Sequence, residues 1–204
     1  ILKRTGTGTI TVGQSGDTIA MPTATATAMT VSGATTLSTP LPVASGGTGG
    51  ASFSAAGLAN TPAFSVKLTS TQTISNSSET KVAHNSTLLD TNSGWDSSNY
   101  KYTFPTTGYY LVTHSLRYVS TTAPRLVSWV RRNGSGNENL NSVETNPNNS
   151  ASAPTTGGSF IFSFTAGDYI EHYTFQNSGS SKDLEVSTNP HLICFLQATK
   201  LIGV

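Results

Sequence analysis

The aromatic residues of this chain are confined to its later part, and this asymmetry limits what the first part can fold into. The eight Phe, seven Tyr and two Trp all lie at or beyond Phe53. Ordering one backbone residue costs about 1 to 2 kcal/mol, which buried apolar side chains must offset. The sizeable apolar residues before Phe53, such as Ile10 and Val31, are too sparse to do so. We therefore expect residues 1–62, a shaft and Gly-rich connector, to be either disordered or ordered by other chains, and the second state implies an oligomer.

Residues 63–204 show the period-two alternation of β-strands and no helical periodicity. One long strand is predicted to place five side chains on a single face: Tyr110, Val112, His114, Leu116 and Tyr118. Phe64, Val66 and Leu68 alternate in the same way. The Asn- and Ser-rich segment 137–158 is predicted to be a surface excursion. Many short strands separated by turns indicate an antiparallel sandwich.

Some of these strands are apolar on both faces, although a two-sheet sandwich buries only one face of each sheet. Tyr109 and Leu111 stand opposite the predicted core face of the long strand. Ile193 and Phe195 do the same in the last strand. A neighbouring subunit is the simplest cover for a second apolar face, so these four residues are interface candidates.

The head resembles the jelly-roll family shared by tumour necrosis factor and the globular heads of complement component one, subcomponent q. The resemblance rests on Phe104–Val112, on Arg132–Gly134, on Gly167–Tyr169 and on the apolar strand Ile193–Leu196. It implies an all-β antiparallel jelly-roll sandwich that assembles as a homotrimer. The chain lacks the collagen repeat and paired cysteines of the complement-type members, so their ligands do not carry over.

The connector suggests which members of that fold are relevant. Leu41–Gly49, followed by Ala55–Ala59, resembles a connector that recurs in bacteriophage tail fibres. This resemblance implies a virion protein at the tail-fibre tip, attached through its N-terminal end to tail or baseplate proteins. The head would bind a bacterial surface polysaccharide or protein. The first residue, Ile1, leaves open that the chain is a fragment.

Two other functions are compatible with this fold: a structural baseplate or virion-decoration protein, and a glycan-degrading tailspike. Glycan hydrolysis needs two carboxylates at a defined separation. The candidate pairs, Glu138 with Glu144 and Asp183 with Glu185, are better explained as solvated surface. No grouping of nucleophile, base and orienting residue occurs, so we expect no enzymatic activity.

The histidines of the sequence do not form a recognisable metal-binding motif. The four histidines, His84, His114, His172 and His191, have no metal-ligand spacing. A hydrogen-bonded core or interface role is expected for His114 and His172, with pH-dependent trimer stability if they gather near a threefold axis.

Asp90 and Asp96, flanking Asn92 and Gly94, loosely match an oxygen-rich calcium loop but lack its full pattern. We therefore expect no cofactor, with calcium as the one alternative. Cys194, among apolar residues, is expected to be a buried and inert thiol.

Recognition is expected in loops. Trp95 lies in a polar run, as a lid on the core or as a platform for a sugar ring. The other receptor-binding candidates lie in or near loops rich in hydrogen-bonding side chains: Arg125, Asn137, Glu138, Asn139, Asn146 and Asn148. Such loops suit polysaccharide hydroxyls and equally suit exposed turns.

Nucleic acid and membrane insertion are not expected as partners. The net charge is +1, with basic residues spread thinly along the chain. No apolar run approaches a membrane span in length, and no signal-peptide pattern is present.

Overall fold

The computed structural model describes residues 61–119, 125–147, 153–186 and 193–202. The regular secondary structure in these ranges consists of β-strands alone. The described residues contain no helix that is long and apolar enough to cross a membrane. The strands are β1 Ala63–Lys67, β2 Thr73–Ile74, β3 Thr80–Lys81, β4 Ser86–Asp90, β5 Trp95–Asp96, β6 Lys101–Thr103, β7 Gly108–Arg117, β8 Leu126–Arg132, β9 Asn139–Thr145, β10 Thr155–Phe164, β11 Tyr169–Gln176, β12 Lys182–Asp183 and β13 Phe195–Lys200. The shaft and connector predicted for residues 1–62 lie outside the described residues, apart from Thr61 and Pro62.

The strands form two principal antiparallel sheets. A five-stranded sheet has the order β10-β7-β13-β1-β4, and a six-stranded sheet has the path β5-β6-β11-β8-β9, with β3 also paired to β11. A small sheet joins β12 to β2. Because most neighbours in the two principal sheets are distant in sequence, the fold is built largely from crossover connections between sheets, as in a jelly roll.

The core lies between the two principal sheets and confirms the predicted alternation in β7. All five side chains of the predicted inner face, Tyr110 to Tyr118 at every second position, are buried. Phe64 and Val66 of β1 are buried against the same core, together with Leu196 of β13. A second apolar cluster includes Leu116, and Cys194 is buried within it. Cys194 is buried, as expected, and burial raises the pKa of its thiol to about 11, which favours an unreactive thiol.

The prediction of a surface excursion over 137–158 was wrong for residues 139–145 and 155–158, which form strands, while residues 148–152 lie outside the described residues. Asn133 and Gly134 form the expected turn, with φ of 51° and 67°. The chain then returns at once as β9, which pairs with β8, and β10 already begins at Thr155. The alternation in β9 was hidden because its outward positions carry Asn, Ser and Glu. An irregularity between Ser128 and Val130 further interrupts the period.

Three of the four motif segments behind the family resemblance, all except Ile193–Leu196, meet at one end of the sandwich. The backbone N–H of Phe104 donates to the carbonyl of Asp168 at 2.8 Å, and that of Gly167 donates to the carbonyl of Phe104 at 2.9 Å. The Asn133 amide donates to the Asp168 carboxylate at 2.8 Å and accepts from the backbone N–H of Tyr169 at 2.9 Å. These residues are therefore structural: they fasten three turns to one another.

Candidate functional site

The six-stranded sheet carries a groove on its outward face, opposite the side that meets the core. Its volume is about 290 Å³. We call it the β8–β11 groove, and it is lined by Ser77, Glu79, Arg125, Val127, Trp129, Asn139, Ser142 and Phe175. At the lower end of the range for ligand pockets, it suits a compact ligand rather than a drug-sized one.

The floor of the groove is apolar because of strand alternation. Leu126, Ser128 and Val130 of β8 point into the sandwich, so Val127 and Trp129 point outward. Phe175 of β11 stands opposite Val127 in the register. These positions give the groove an apolar floor containing two aromatic rings.

The sides of the groove are polar and come from separate segments. Ser77 and Glu79 precede β3 on one side, while Asn139 and Ser142 lie in β9 on the other. Arg125 lies just before β8, with its guanidinium carbon 5.6 Å from the centre of the Phe175 ring. The groove therefore combines apolar ring surface with hydrogen-bonding groups, as small-molecule sites usually do.

The charged groups at the groove are paired. Arg125 Nε donates to Glu144 Oε2 at 2.7 Å. Arg131, which lies over the Tyr173 ring at 4.1 Å, donates from Nη2 to Glu79 Oε2 at 2.7 Å. Glu144 was expected in a loop but lies in β9. Each guanidinium is balanced by a carboxylate, so the site carries little net charge.

Three neutral polar groups at the rim bond to no protein group in the described part of the chain. They are the hydroxyls of Ser77 and Ser142 and the amide nitrogen of Asn139. The Asn139 carbonyl oxygen accepts from Arg131 Nε at 3.0 Å, which fixes the amide orientation. These three groups are thus available to a ligand.

Two of the seven receptor-binding candidates predicted from the sequence, Arg125 and Asn139, are brought together in this groove. The turn residue Asn137 is exposed, and the Glu138 beside it pairs with Arg132. Asn146 is exposed just beyond the end of β9, and Asn148 lies outside the described residues.

Trp95 lies away from the groove. It packs against the core cluster, with its ring 6.2 Å from that of Phe64 and nearly parallel to it. This placement matches the lid interpretation. The sequence interpretation missed Trp129 and Phe175, although the alternation of β8 and β11 could have marked them as outward aromatics.

The four interface candidates also have defined places. Tyr109 and Leu111 are exposed on the outward face of the five-stranded sheet, at 48% and 37%. Phe195 of β13 is half-buried in the same sheet, but it pairs with Ser115, away from Tyr109 and Leu111. Ile193 differs, because it packs against the second core cluster of its own chain.

Three of the four histidines, which have no metal-ligand spacing in the sequence, are brought together between the sheets. A continuous hydrogen-bonded chain, here called the histidine chain, joins His84 Nε2 to His172 Nδ1 at 3.0 Å and His172 Nε2 to Ser128 Oγ at 2.9 Å. It continues from Ser128 Oγ to His114 Nδ1 at 2.9 Å and from His114 Nε2 to Asn141 Oδ1 at 3.0 Å. His114 belongs to the five-stranded sheet, so the chain ties both sheets together. The predicted hydrogen-bonded core role is confirmed for His114 and His172, while His191 lies outside the described residues.

The direction of these hydrogen bonds requires neutral rings. Asn141 Oδ1 only accepts, so His114 carries its proton on Nε2, and each preceding ring must do the same. Burial lowers the pKa of His84 to about 3 and lowers that of His172 well below its ordinary value. Burial also lowers the pKa of His114, against a smaller opposing effect of Asn141. An added proton would leave either a buried N–H or the buried Ser128 O–H without an acceptor.

The carboxylates of the suggested calcium loop are engaged in separate turns. Asp90 accepts from the backbone N–H groups of Gly94 and Trp95, at 3.1 and 2.9 Å. Asp96 accepts from Ser98 and from Asn99. Among the described residues, no group of three or more His, Cys, Asp or Glu is placed to hold a metal ion.

Comparison with solved structures places the fold among jelly rolls of the tumour necrosis factor type. Murine APRIL at pH 5.0 matches over 68% of this chain and 98% of that chain, with 20% identity and a TM-score of 0.53. Eiger TNF from S. frugiperda matches over 72% of this chain and 96% of that chain, with 13% identity and a TM-score of 0.53. The predicted all-β antiparallel jelly-roll head is therefore confirmed. No protein-family model matches the sequence, and no curated protein matches it either.

Proposed function

We propose that this chain is the receptor-binding tip of a bacteriophage tail fibre, a nonenzymatic homotrimer that attaches the virion to a bacterial surface glycan or protein. The N-terminal segment would join the head to tail or baseplate proteins. The supporting observation is that the two sheets present different outward faces: an apolar one, suited to a second copy of the chain, and one with the polar-rimmed β8–β11 groove.

The apolar face supports the assembly part of the proposal. Seven large apolar side chains are exposed among the described residues, and five of them lie in strands of the five-stranded sheet: Leu88, Leu89, Tyr109, Leu111 and Ile161. Ile161 and Leu111 are direct neighbours in the β10–β7 register. Covering such a face with copies of itself around a closed axis removes it from water.

The groove supports the binding part of the proposal. Because it lies on the other sheet, it stays open when the five-stranded sheet is covered. Both carboxylates at the groove are bonded to arginines, Glu79 to Arg131 and Glu144 to Arg125. An acid catalyst needs a protonated carboxyl and a base needs an unpaired one, so this arrangement favours binding over glycan cleavage.

The test is adsorption of the labelled full chain to a panel of fixed bacterial cells and to the surface polysaccharides extracted from them. We expect saturable adsorption to some strains, with the polymer length unchanged in size-exclusion chromatography. Shortening of the polymer would instead identify a tailspike hydrolase. Absence of adsorption across the panel would favour the structural baseplate or decoration role.

A further inference from the structure

We propose that the β8–β11 groove is a saccharide subsite that takes one neutral pyranose ring of a surface glycan. This assignment deepens the proposed function and rests on it for the biological source of the sugar. It is carried by three properties of the groove: its charge balance, its rim of neutral polar groups and its size.

The charge balance disfavours an anionic ligand. The two guanidinium groups at the groove, those of Arg125 and Arg131, already bond to Glu144 and Glu79 at 2.7 Å each. A phosphate or a uronic acid would have to displace one of these carboxylates or lie beside it. Like charges at such a distance repel, so a neutral ligand is favoured.

The rim suits hydroxyl groups. Ser77 and Ser142 offer hydroxyls that both donate and accept, and the Asn139 amide nitrogen donates. None of these three atoms bonds to another protein group in the described ranges. Polyhydroxylated rings offer matching donors and acceptors, whereas an apolar ligand would displace water from these exposed groups without replacing its hydrogen bonds.

The floor suits the C–H face of a sugar ring. Phe175 is half-buried, and the negative face of an aromatic ring attracts weakly positive hydrogens. Trp129 forms the rest of the aromatic floor but is only 4% exposed, so it provides a fixed surface. The Arg125 guanidinium near the Phe175 ring limits the open area to one small ligand.

The size separates a saccharide from a protein partner. About 290 Å³ is a compact concave site. A stable protein interface instead buries about 800 Å² on each partner and is usually broad. The groove has room for one side chain of a protein partner, and binding of a protein receptor there is therefore one of the outcomes that the test distinguishes.

The test uses a matched pair of probes that differ in one charge, methyl glucoside and methyl glucuronide, together with the methyl glycosides of galactose and mannose. The chain has two tryptophans, so the indole region of a ¹⁵N–¹H NMR spectrum reports on each separately. We expect at least one neutral glycoside to shift the Trp129 indole signal with a Kd of about 1 to 10 mM, as suits a single small ring. The Trp95 signal, from the core, should stay unchanged. The glucuronide should bind at least about tenfold more weakly than the glucoside if glucose is accepted.

Two variants and one control locate the site. Phe175→Leu should weaken binding of the neutral glycoside at least about tenfold. Phe162→Leu is the matched control. An arginine, Arg132, lies 5.4 Å from the centre of the Phe162 ring, as Arg125 does at Phe175, but this pair is outside the groove. Ser142→Phe, at an exposed position, should block the groove without disturbing the core.

The outcomes distinguish this inference from the proposed function. If neither neutral glycoside nor glucuronide shifts Trp129, while cells still adsorb the chain and both groove variants, the saccharide subsite is overturned and receptor binding stands. Cell adsorption that the groove variants abolish, without any glycoside binding, identifies a protein receptor and also overturns it. Glycoside binding at Trp129 without cell adsorption supports the subsite and contradicts the proposed function alone. A glucuronide that binds as tightly as the glucoside refutes the proposal that the groove selects a neutral sugar.

Discussion

Lowering the pH from about 8 to about 5 should destabilise this head strongly, because the histidine chain must stay neutral to stay bonded. An unfolded histidine has a pKa of about 6.5, so at about pH 5 each one gains about 2 kcal/mol by protonation that a neutral buried ring cannot gain. His84 and His172 are fully buried, with lowered pKa values. They contribute about 4 kcal/mol together, and His114 adds up to about 2 more. Domains of this kind are stable by only about 5 to 15 kcal/mol.

The sign of this pH effect on the free energy of unfolding, and the pH range in which it occurs, follow from the lowered pKa values of the histidines. Below pH 6.5 the unfolded chain binds protons that the folded chain does not, so the free energy of unfolding falls as the pH falls. Above pH 6.5 both states are neutral at these rings and this stability is fully present. Around the rings lie Ser128, Asn141 and Trp95, and no described Asp, Glu, Lys or Arg side chain bonds to them. No nearby charge should therefore compensate.

Urea unfolding at fixed protein concentration, followed by tryptophan fluorescence from pH 8 to pH 5, measures this loss. The slope below about pH 5.5 should approach 3 to 4 kcal/mol per pH unit, which corresponds to between two and three protons. His84→Gln keeps a donor for His172 and removes one titrating ring, so about 2 kcal/mol of the loss should disappear. Stability that changes by less than about 1 kcal/mol over this range, or a His84→Gln slope equal to that of the wild type, would refute the reasoning.

Three further predictions concern structure and assembly. Asp168→Ala should lower the free energy of unfolding by about 1 to 3 kcal/mol in urea titrations, because the Asp168 carboxylate accepts from both the Asn133 amide and the backbone N–H of Thr165. Asp183→Ala, which removes only the acceptor for Thr73, should cost less than about 1 kcal/mol. Leu111→Asp should convert a trimer to folded monomers in analytical ultracentrifugation, and a wild-type chain that is already a folded monomer would contradict the proposed assembly. Cys194, with a thiol pKa of about 11, should react with a disulfide reagent at pH 8 at least about a hundredfold more slowly in the native than in the urea-unfolded chain.

Much of the fold could be predicted because burial imposes period two on strands that face a core. The inner face of β7 shows this most clearly, since its four alternate side chains and that of Tyr118 just beyond it are all buried. The prediction failed at β9, whose outward side chains are polar and whose pairing with β8 is interrupted near Ser128. Alternation reports burial, so an edge strand with a polar outer face leaves little periodic signal.

The histidine chain could not be predicted for a different reason. His84, His114 and His172 are far apart in sequence, and each by itself is compatible with an ordinary polar core residue. Their contact depends on the pairing of β11 with β8 and on the packing of β7 across the core. Sequence spacing carries no information about either, and so the pH dependence only becomes calculable once the two sheets are in place.

The groove, like the histidine chain, depends on the pairing of strands that are distant in sequence. It moves the expected recognition residues from loops to strands. Arg125 and Asn139 were selected from the sequence as loop residues, yet Asn139 lies in β9 and both border a floor made by strand side chains. Side chains on paired strands lose less freedom on binding than side chains on a mobile loop, so affinity per contact is higher. Phe175 and Trp129 are held by the β11–β8 register, and only the neutral rim groups remain to adapt. If the groove binds a sugar, exchange of the rim residues should therefore alter which sugar is accepted, while the aromatic floor should determine whether any sugar binds.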